Sequence, residues 1–260
     1  MSAAAEGPEP RHRSSAPLAV VFLDGAYEDT AYYRSWAAAA GLVIAADGGA
    51  RFLLDLGGAP DVVVGDFDSL PPADAERLAG LGVATVRHPT RKDKTDGELA
   101  VDEALRRGAG EVVLAGALGA LDHTLGHLAI LRRLAERGVP ARLASPGLSV
   151  RVFVAPARAV LDAEPRTRVS VVPLGANAVV TLASFDYPLT RGVLPAAGCL
   201  GLGNFIAAAG AEIEVHRGAV AVLVESGRES FGGAPAPQSG SGSVTRAPGV
   251  RMPGDAAGDP

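Results

Sequence analysis

Three short apolar runs in the first quarter of the chain each close on an acid. "LAVVFL" ends at Asp24, "LVIAA" at Asp47, and "DVVVGDFDSL" carries its valines into Gly65, Asp66 and Asp68. Continuous apolar runs of about four to six residues bounded by turn residues read as strands buried on both faces. "EVVLAG", ending at Gly116, and "ARLAS", at 141–145, extend the set. Helical patterns lie between them at about 29–39, 50–56, 72–80, 96–107 and 123–136. Such alternation predicts βαβ units around a parallel sheet. The helix at 96 has a capping box, Thr95 with Glu98, and Gly108 as its stop.

After about residue 148 the pattern changes to short strands separated by turn residues: "SVRVFVA", "ARAVLDA", "RVSVVPL", "AVVTLAS", "AEIEVH" and "AVAVLVE". Arg217-Gly218 reads as a hairpin turn between the last two. The expected fold class is an α/β N-terminal domain with a mainly parallel sheet and flanking helices, at 17–147. An all-β domain follows at 148–231. Residues 1–16 and 232–260 are rich in Ala, Pro, Gly and Ser and are expected to be disordered tails.

Composition narrows the function classes. A net charge of −5 offers no basic surface for nucleic acid. No apolar run reaches the roughly 18 residues of a membrane span, and the first residues lack the apolar core of a secretory signal. A cytoplasmic protein is the expectation. Cys199 is the one cysteine, which excludes an intrachain disulfide framework and a cysteine-based zinc site.

Acids at the carboxyl ends of parallel strands converge on the rim where open α/β sheets bind ligands. If strand geometry persists through Phe67, Asp66 and Asp68 stand about 6.7 Å apart on one face. Their repulsion is then roughly 2.5 kcal/mol at an effective dielectric near 20. Asp47 and Asp96 add to it. Mg²⁺ relieves such a conflict, because it is held by one or two carboxylates together with substrate phosphates. A lone Asp after a strand is more simply a helix cap, but "GDFDS" together with "ADGG" favours the metal.

Two further stretches point to phosphate. "RKDKTDGE" holds Lys92 and Lys94, the only lysines beside 22 arginines, with Asp93 between them. Lysine serves phosphate as a compact point charge; a solvated charged loop is the plainer alternative. "LAGALGALDHTLGHL" brings a strand through Gly116 and Gly119 into a helix near Asp122. Backbone N–H groups at such a start receive phosphate. His123 and His127 are spaced for a metal, but no third His or Cys is near. No P-loop motif is present. In the β half, Phe185 and Tyr187 flank Asp186, and Asn204 sits in "GLGN". Aromatic faces beside an acid suit a flat cationic heterocycle, though core and turn roles are the simpler reading.

In this order and spacing, "ADGGA", "PDVVVGDFDSL", "KDKTDGELA", "LDH", "YPL" and "GLGN" resemble the thiamine pyrophosphokinases over about residues 20–225. The resemblance implies an α/β nucleotide-binding domain with a β-sandwich domain, and a homodimer with sites between subunits. It implies the reaction of ATP with thiamine to give AMP and thiamine diphosphate, with Mg²⁺. By position, Asp47, Asp66, Asp68 and Asp96 would hold Mg²⁺, with Asp66, Asp68 and Asp96 catalytic. Asp47, Gly48, Lys92, Asp93, Lys94, Gly119, Asp122 and His123 would bind ATP; Tyr187 and Asn204 would bind thiamine. Three positions depart from the family: Ala120 stands where arginine is usual, Gly203 where serine is frequent, and His127 where asparagine is frequent. A diphosphokinase acting on a hydroxymethylpterin is one rival reading. A non-catalytic binder of nucleotide or thiamine diphosphate is the other.

Overall fold

A computed structural model describes residues 16–68, 70–90 and 93–225. The two predicted tails fall outside these residues, apart from Ala16. Six strands run parallel in the order β6-β5-β1-β2-β3-β4. They are β1 (Leu18–Phe22), β2 (Leu42–Ala46), β3 (Val62–Gly65), β4 (Ala84–Arg87), β5 (Glu111–Ala115) and β6 (Ala141–Ser145). Between them lie α1 (Thr30–Ala39), α2 (Gly49–Asp55), α3 (Pro72–Gly80), α4 (Asp96–Arg106) and α5 (Leu121–Glu136). Alternate residues of each buried strand face opposite sides, which yields two cores. Val21, Ile44, Val64 and Leu114 pack with Val101 and Leu131 of α4 and α5. Phe22, Val43, Val63 and Val113 pack with Trp36, Leu53 and Leu78 of α1, α2 and α3. The sheet is therefore covered on both faces, as parallel sheets require.

The chain lays down β1 to β4 on one side of β1, then returns to place β5 on the other. The reversal opens a crevice at the carboxyl ends of β1 and β5, the position where ligands enter doubly wound sheets. There the segments leaving β1 and β5 approach closely: a Cβ on Gly25 would lie 1.8 Å from the carbonyl oxygen of Gly116. Only glycine fits at position 25.

The β half continues the same sheet. β7 (Leu148–Val154) pairs antiparallel with β6, and β14 (Ala219–Glu225), β9 (Arg168–Pro173) and β12 (Asn204–Phe205) follow outward, for ten strands in all. A second sheet, β11-β10-β13-β8, lies over this extension. Its strands are β8 (Ala157–Val160), β10 (Ala178–Ala183), β11 (Leu189–Leu194) and β13 (Glu212–Arg217). Val169, Val171, Val220 and Val222 of the long sheet meet Val180, Leu182, Ile213 and Val215 of the short one. The expected fold class holds, a mainly parallel sheet with flanking helices followed by an antiparallel region of two packed sheets.

The predicted hairpin at Arg217-Gly218 is corrected. β13 pairs with β10 and β8, whereas β14 pairs with β7 and β9. Gly218, at φ +82°, turns the chain from one sheet to the other. Three strands had not been expected: β4, β11 and the two-residue β12, which falls in the stretch read as a glycine-rich turn. β4 is mostly exposed, so its "ATVR" lacks an apolar run, and β11 is broken by Gly192 and exposed arginine.

Candidate active site

The acids do meet. Carboxylate oxygens of Asp47, Asp66 and Asp68 lie within 4.8 Å of one another. Asp96, the first residue of α4, faces the same point: its Oδ1 and that of Asp47 would lie 3.4 and 3.2 Å from a Cβ on Gly65. The absence of a side chain at Gly65 leaves room for both. Strand geometry does not persist through Phe67, which corrects the 6.7 Å expectation. Phe67 has φ +64°, and the Asp68 amide donates to Asp66 Oδ1 at 3.2 Å. This tight turn folds Asp68 back towards Asp66. Asp47 also has a left-handed backbone, φ +43°, while its amide still donates to Val64 O at 2.9 Å. Non-glycine residues held in this region cost about 1 kcal/mol or more and mark positions that the surroundings dictate. At 4.8 Å or less, each pair of ionised carboxylates repels by about 3.5 kcal/mol or more at an effective dielectric of ~20.

The donor set fits a hard divalent cation. All three ligands are oxygens, and their spacing is close to the roughly 3.0–4.2 Å between ligands on one octahedral Mg²⁺. Neither His nor Cys joins the group, so the set is wrong for structural zinc. Gly48 stands beside this rim, where a Cβ would lie 2.4 Å from Asp24 Oδ1.

A cavity of about 470 Å³ opens between the amino-terminal ends of α4 and α5, lined by Thr95, Glu98, Asp122, His123 and His127 among others. Asp122 and His123 are thus brought beside the helix that carries Asp96. Gly119 is exposed on the approach to α5, and Ala120 occupies the cap position without a side-chain hydrogen bond. His127 is buried, with Nδ1 2.7 Å from Ala117 O. A carbonyl only accepts, so Nδ1 carries the proton. Burial pushes the imidazole below its ordinary pKa, against the opposing pull of the Ala117 bond. Nε2 is then a neutral acceptor on the cavity wall.

Other predicted residues are arranged differently. Lys94 Nζ pairs with Asp102 Oδ2 of α4 at 2.6 Å, and Arg133 reaches the other oxygen at 3.1 Å. Lys94 is therefore tethered to a helix rather than extended towards the acids. Asp93 is exposed. Lys92 lies outside the described residues. Tyr187 is 70 % exposed in the connection after β10. Asn204 is buried, and its side chain holds that connection. Its Oδ1 accepts from the amides of Tyr187 and Phe205 at 3.0 and 2.9 Å, and its Nδ2 donates to Tyr187 O at 2.8 Å. Gly203 has φ +67°, a conformation that makes serine unfavourable and accounts for glycine there.

Two residues near the rim were missed. Arg87, at the end of β4, places its guanidinium 5.0 Å from the Phe67 ring centroid. It brings positive charge to the acid loop, and only recognition of β4 would have revealed it. Tyr27 packs over Gly116 and stacks on Phe52 at 3.6 Å. No spacing rule announces it.

Residues 33–143 match the family described as thiamin pyrophosphokinase, catalytic domain. They span α1 to β6 and contain Asp47, Asp66, Asp68 and Asp96. This stretch is similar to the thiamin pyrophosphokinases. Over 152 residues the chain is 29 % identical to thiamine pyrophosphokinase of Bacillus subtilis, covering 58 % of this chain and 71 % of that one. The crystal structure of thiamin pyrophosphokinase from Geobacillus thermodenitrificans superposes with a TM-score of 0.70 at 25 % identity, covering 82 % of this chain and 100 % of that one. The yeast thiamin pyrophosphokinase structure gives 0.69 at 14 % identity, covering 82 % and 87 %, and speaks to the fold alone. Its likeness extends through the β half, beyond the segment that the family description covers.

Proposed function

We propose that the protein is a Mg²⁺-dependent thiamine diphosphokinase. It transfers the pyrophosphoryl group of ATP to the hydroxyethyl oxygen of thiamine and releases AMP. The observation that carries this reading is the convergence of Asp47, Asp66 and Asp68 at the carboxyl ends of adjacent strands, within a stretch similar to the thiamin pyrophosphokinase catalytic domain. ATP is assigned to the α/β half, 17–147, and thiamine to the β half, 148–231.

Asp47, Asp66 and Asp68 would hold Mg²⁺, with Asp96 beside them. When bound, the ion neutralises charge on the phosphate oxygens and stabilises what develops in the transition state. The chain's own part is positioning. The Phe67 turn fixes Asp68 against Asp66, and the helix starts of α4 and α5 offer backbone N–H groups to phosphate. Asp96 or Asp68 takes the proton of the attacking hydroxyl. Asn204 keeps the Tyr187 loop in place for an aromatic contact with thiamine. We place the protein in the cytoplasm as a homodimer. The exposed apolar side chains Leu121, Leu125, Tyr187, Leu200 and Leu202 support a second copy as the cover for these surfaces.

The test is AMP release from ATP and Mg²⁺ with thiamine or hydroxymethylpterin as acceptor. AMP formed with thiamine supports the proposal. AMP formed only with the pterin supports the pterin enzyme, and tight binding without AMP supports a binding protein. Asp68→Asn should cut turnover roughly a thousandfold. In metal-free buffer it should leave the urea midpoint unchanged or raised, because it relieves repulsion. Near-normal turnover of this variant at saturating Mg²⁺ would refute the metal role.

A further inference from the structure

A second groove, of about 450 Å³, lies at the opposite end of the strands from the acids. It is bounded by the start of β5 and β6 and by the end of β7, so it opens at the amino-terminal edge of the parallel sheet. Arg142, Arg151 and Arg158 line it, with Val139 and Phe153 as apolar wall and Glu111 as its carboxylate. Its volume suits a ring-sized ligand.

Two of the arginines face each other across neighbouring strands, and the Arg142 guanidinium also lies 5.5 Å from the Trp36 ring centroid. β6 and β7 pair Leu143 with Val150, so the same antiparallel register sets Arg142 opposite Arg151, on the face away from that apolar pair. Like charges directly opposite on a sheet destabilise it. Glu111 occupies Arg142 at 2.6 Å, and Glu212, outside the groove, occupies Arg158. The Arg151 side chain makes no hydrogen bond or ion pair with the described residues. Arg151 is exposed at the mouth of the groove, and its guanidinium is held below its ordinary pKa by partial desolvation and by Arg142, against the pull of Glu111. The groove thus presents the Arg151 fork, with the Glu111-paired Arg142 opposite it, beside an apolar wall. A planar carboxylate engages one such fork, whereas a tetrahedral phosphoryl group accepts from several directions at once.

We propose that this groove binds a phosphorylated small organic molecule, with its phosphoryl oxygens on Arg142 and Arg151 and its ring against Val139 and Phe153. The site is separate from the acid rim and needs no divalent cation. A nucleotide and thiamine diphosphate share this chemistry.

The test uses the full chain in EDTA, titrated calorimetrically with inorganic pyrophosphate. Without a cation the acid rim repels the probe, and the Arg151 variants distinguish binding in the groove from binding at the helix starts. One site per chain is expected, weakened at least tenfold by Arg151→Gln, weakened less by Arg151→Lys, and unaffected by Asp68→Asn. The urea midpoints of the variants verify folding. Absence of binding in EDTA, or equal affinity in wild type and Arg151→Gln, overturns the site. AMP and thiamine diphosphate are then titrated in the same buffer. Whichever binds tighter than pyrophosphate, and loses that gain in Arg151→Gln, is the ligand class. If neither does, the role of the apolar wall is overturned. None of these outcomes depends on the AMP-release assay.

Discussion

Asn204 illustrates how a residue serves a site without touching its ligand. Three hydrogen bonds join its buried side chain to the backbone of Tyr187 and Phe205. Asn204→Ala leaves two amides and a carbonyl without their partner, at a cost of about 1–2 kcal/mol. Tyr187 then loses its fixed position. The expected kinetic result is a rise of roughly tenfold in KM for thiamine with KM for ATP unchanged; equal effects on both substrates would contradict it. The acids were legible at this scale because their side chains follow directly from strand ends, where period and direction are known. The partner of Lys94 was not, because Asp102 lies nearly two turns into α4 and the loop path that joins them leaves no pattern in the chain.

At the scale of elements, α4 is the piece on which the acid rim depends. Thr95 Oγ1 accepts from the Glu98 amide at 3.2 Å, and Glu98 Oε2 accepts from the Thr95 amide at 3.3 Å. This box sets the start of the helix at Asp96. Thr95→Ala should lower the unfolding free energy by about 1 kcal/mol and reduce turnover as Asp96 frays; a urea midpoint identical to wild type would contradict the first part. The box was readable because both of its partners are local. The buried parallel strands were readable because continuous apolar runs have few other uses. β4 and β11 were not, since an exposed edge strand has no apolar run to give it away. The hairpin reading at Arg217-Gly218 failed for a related reason: a glycine turn between two strands looks the same in sequence whether they pair or separate into two layers.

At the scale of the whole molecule, the two halves share a sheet. Ala221 of β14 packs into the core beneath α5, while its neighbours Val220 and Val222 pack into the core between the two sheets. A cavity in the β half should therefore be felt in the α/β half. Val180→Ala, at a fully buried position of the second sheet, removes about 2 kcal/mol. Trp36, the single tryptophan, lies in α1. Its fluorescence midpoint in urea should fall together with the circular dichroism midpoint. A Trp36 transition that does not move would show that the halves unfold separately. This coupling was not legible, because the change of pattern at 148 resembles a boundary between independent units. The pairing of β6 with β7 has a practical consequence. Cleavage at 147/148 would leave Leu143–Ser145 on one fragment and Leu148–Val150 on the other, each with a bare row of amides and carbonyls. Such edges recruit one another or further copies, so the severed pieces are suited to complementation and prone to precipitate when kept apart.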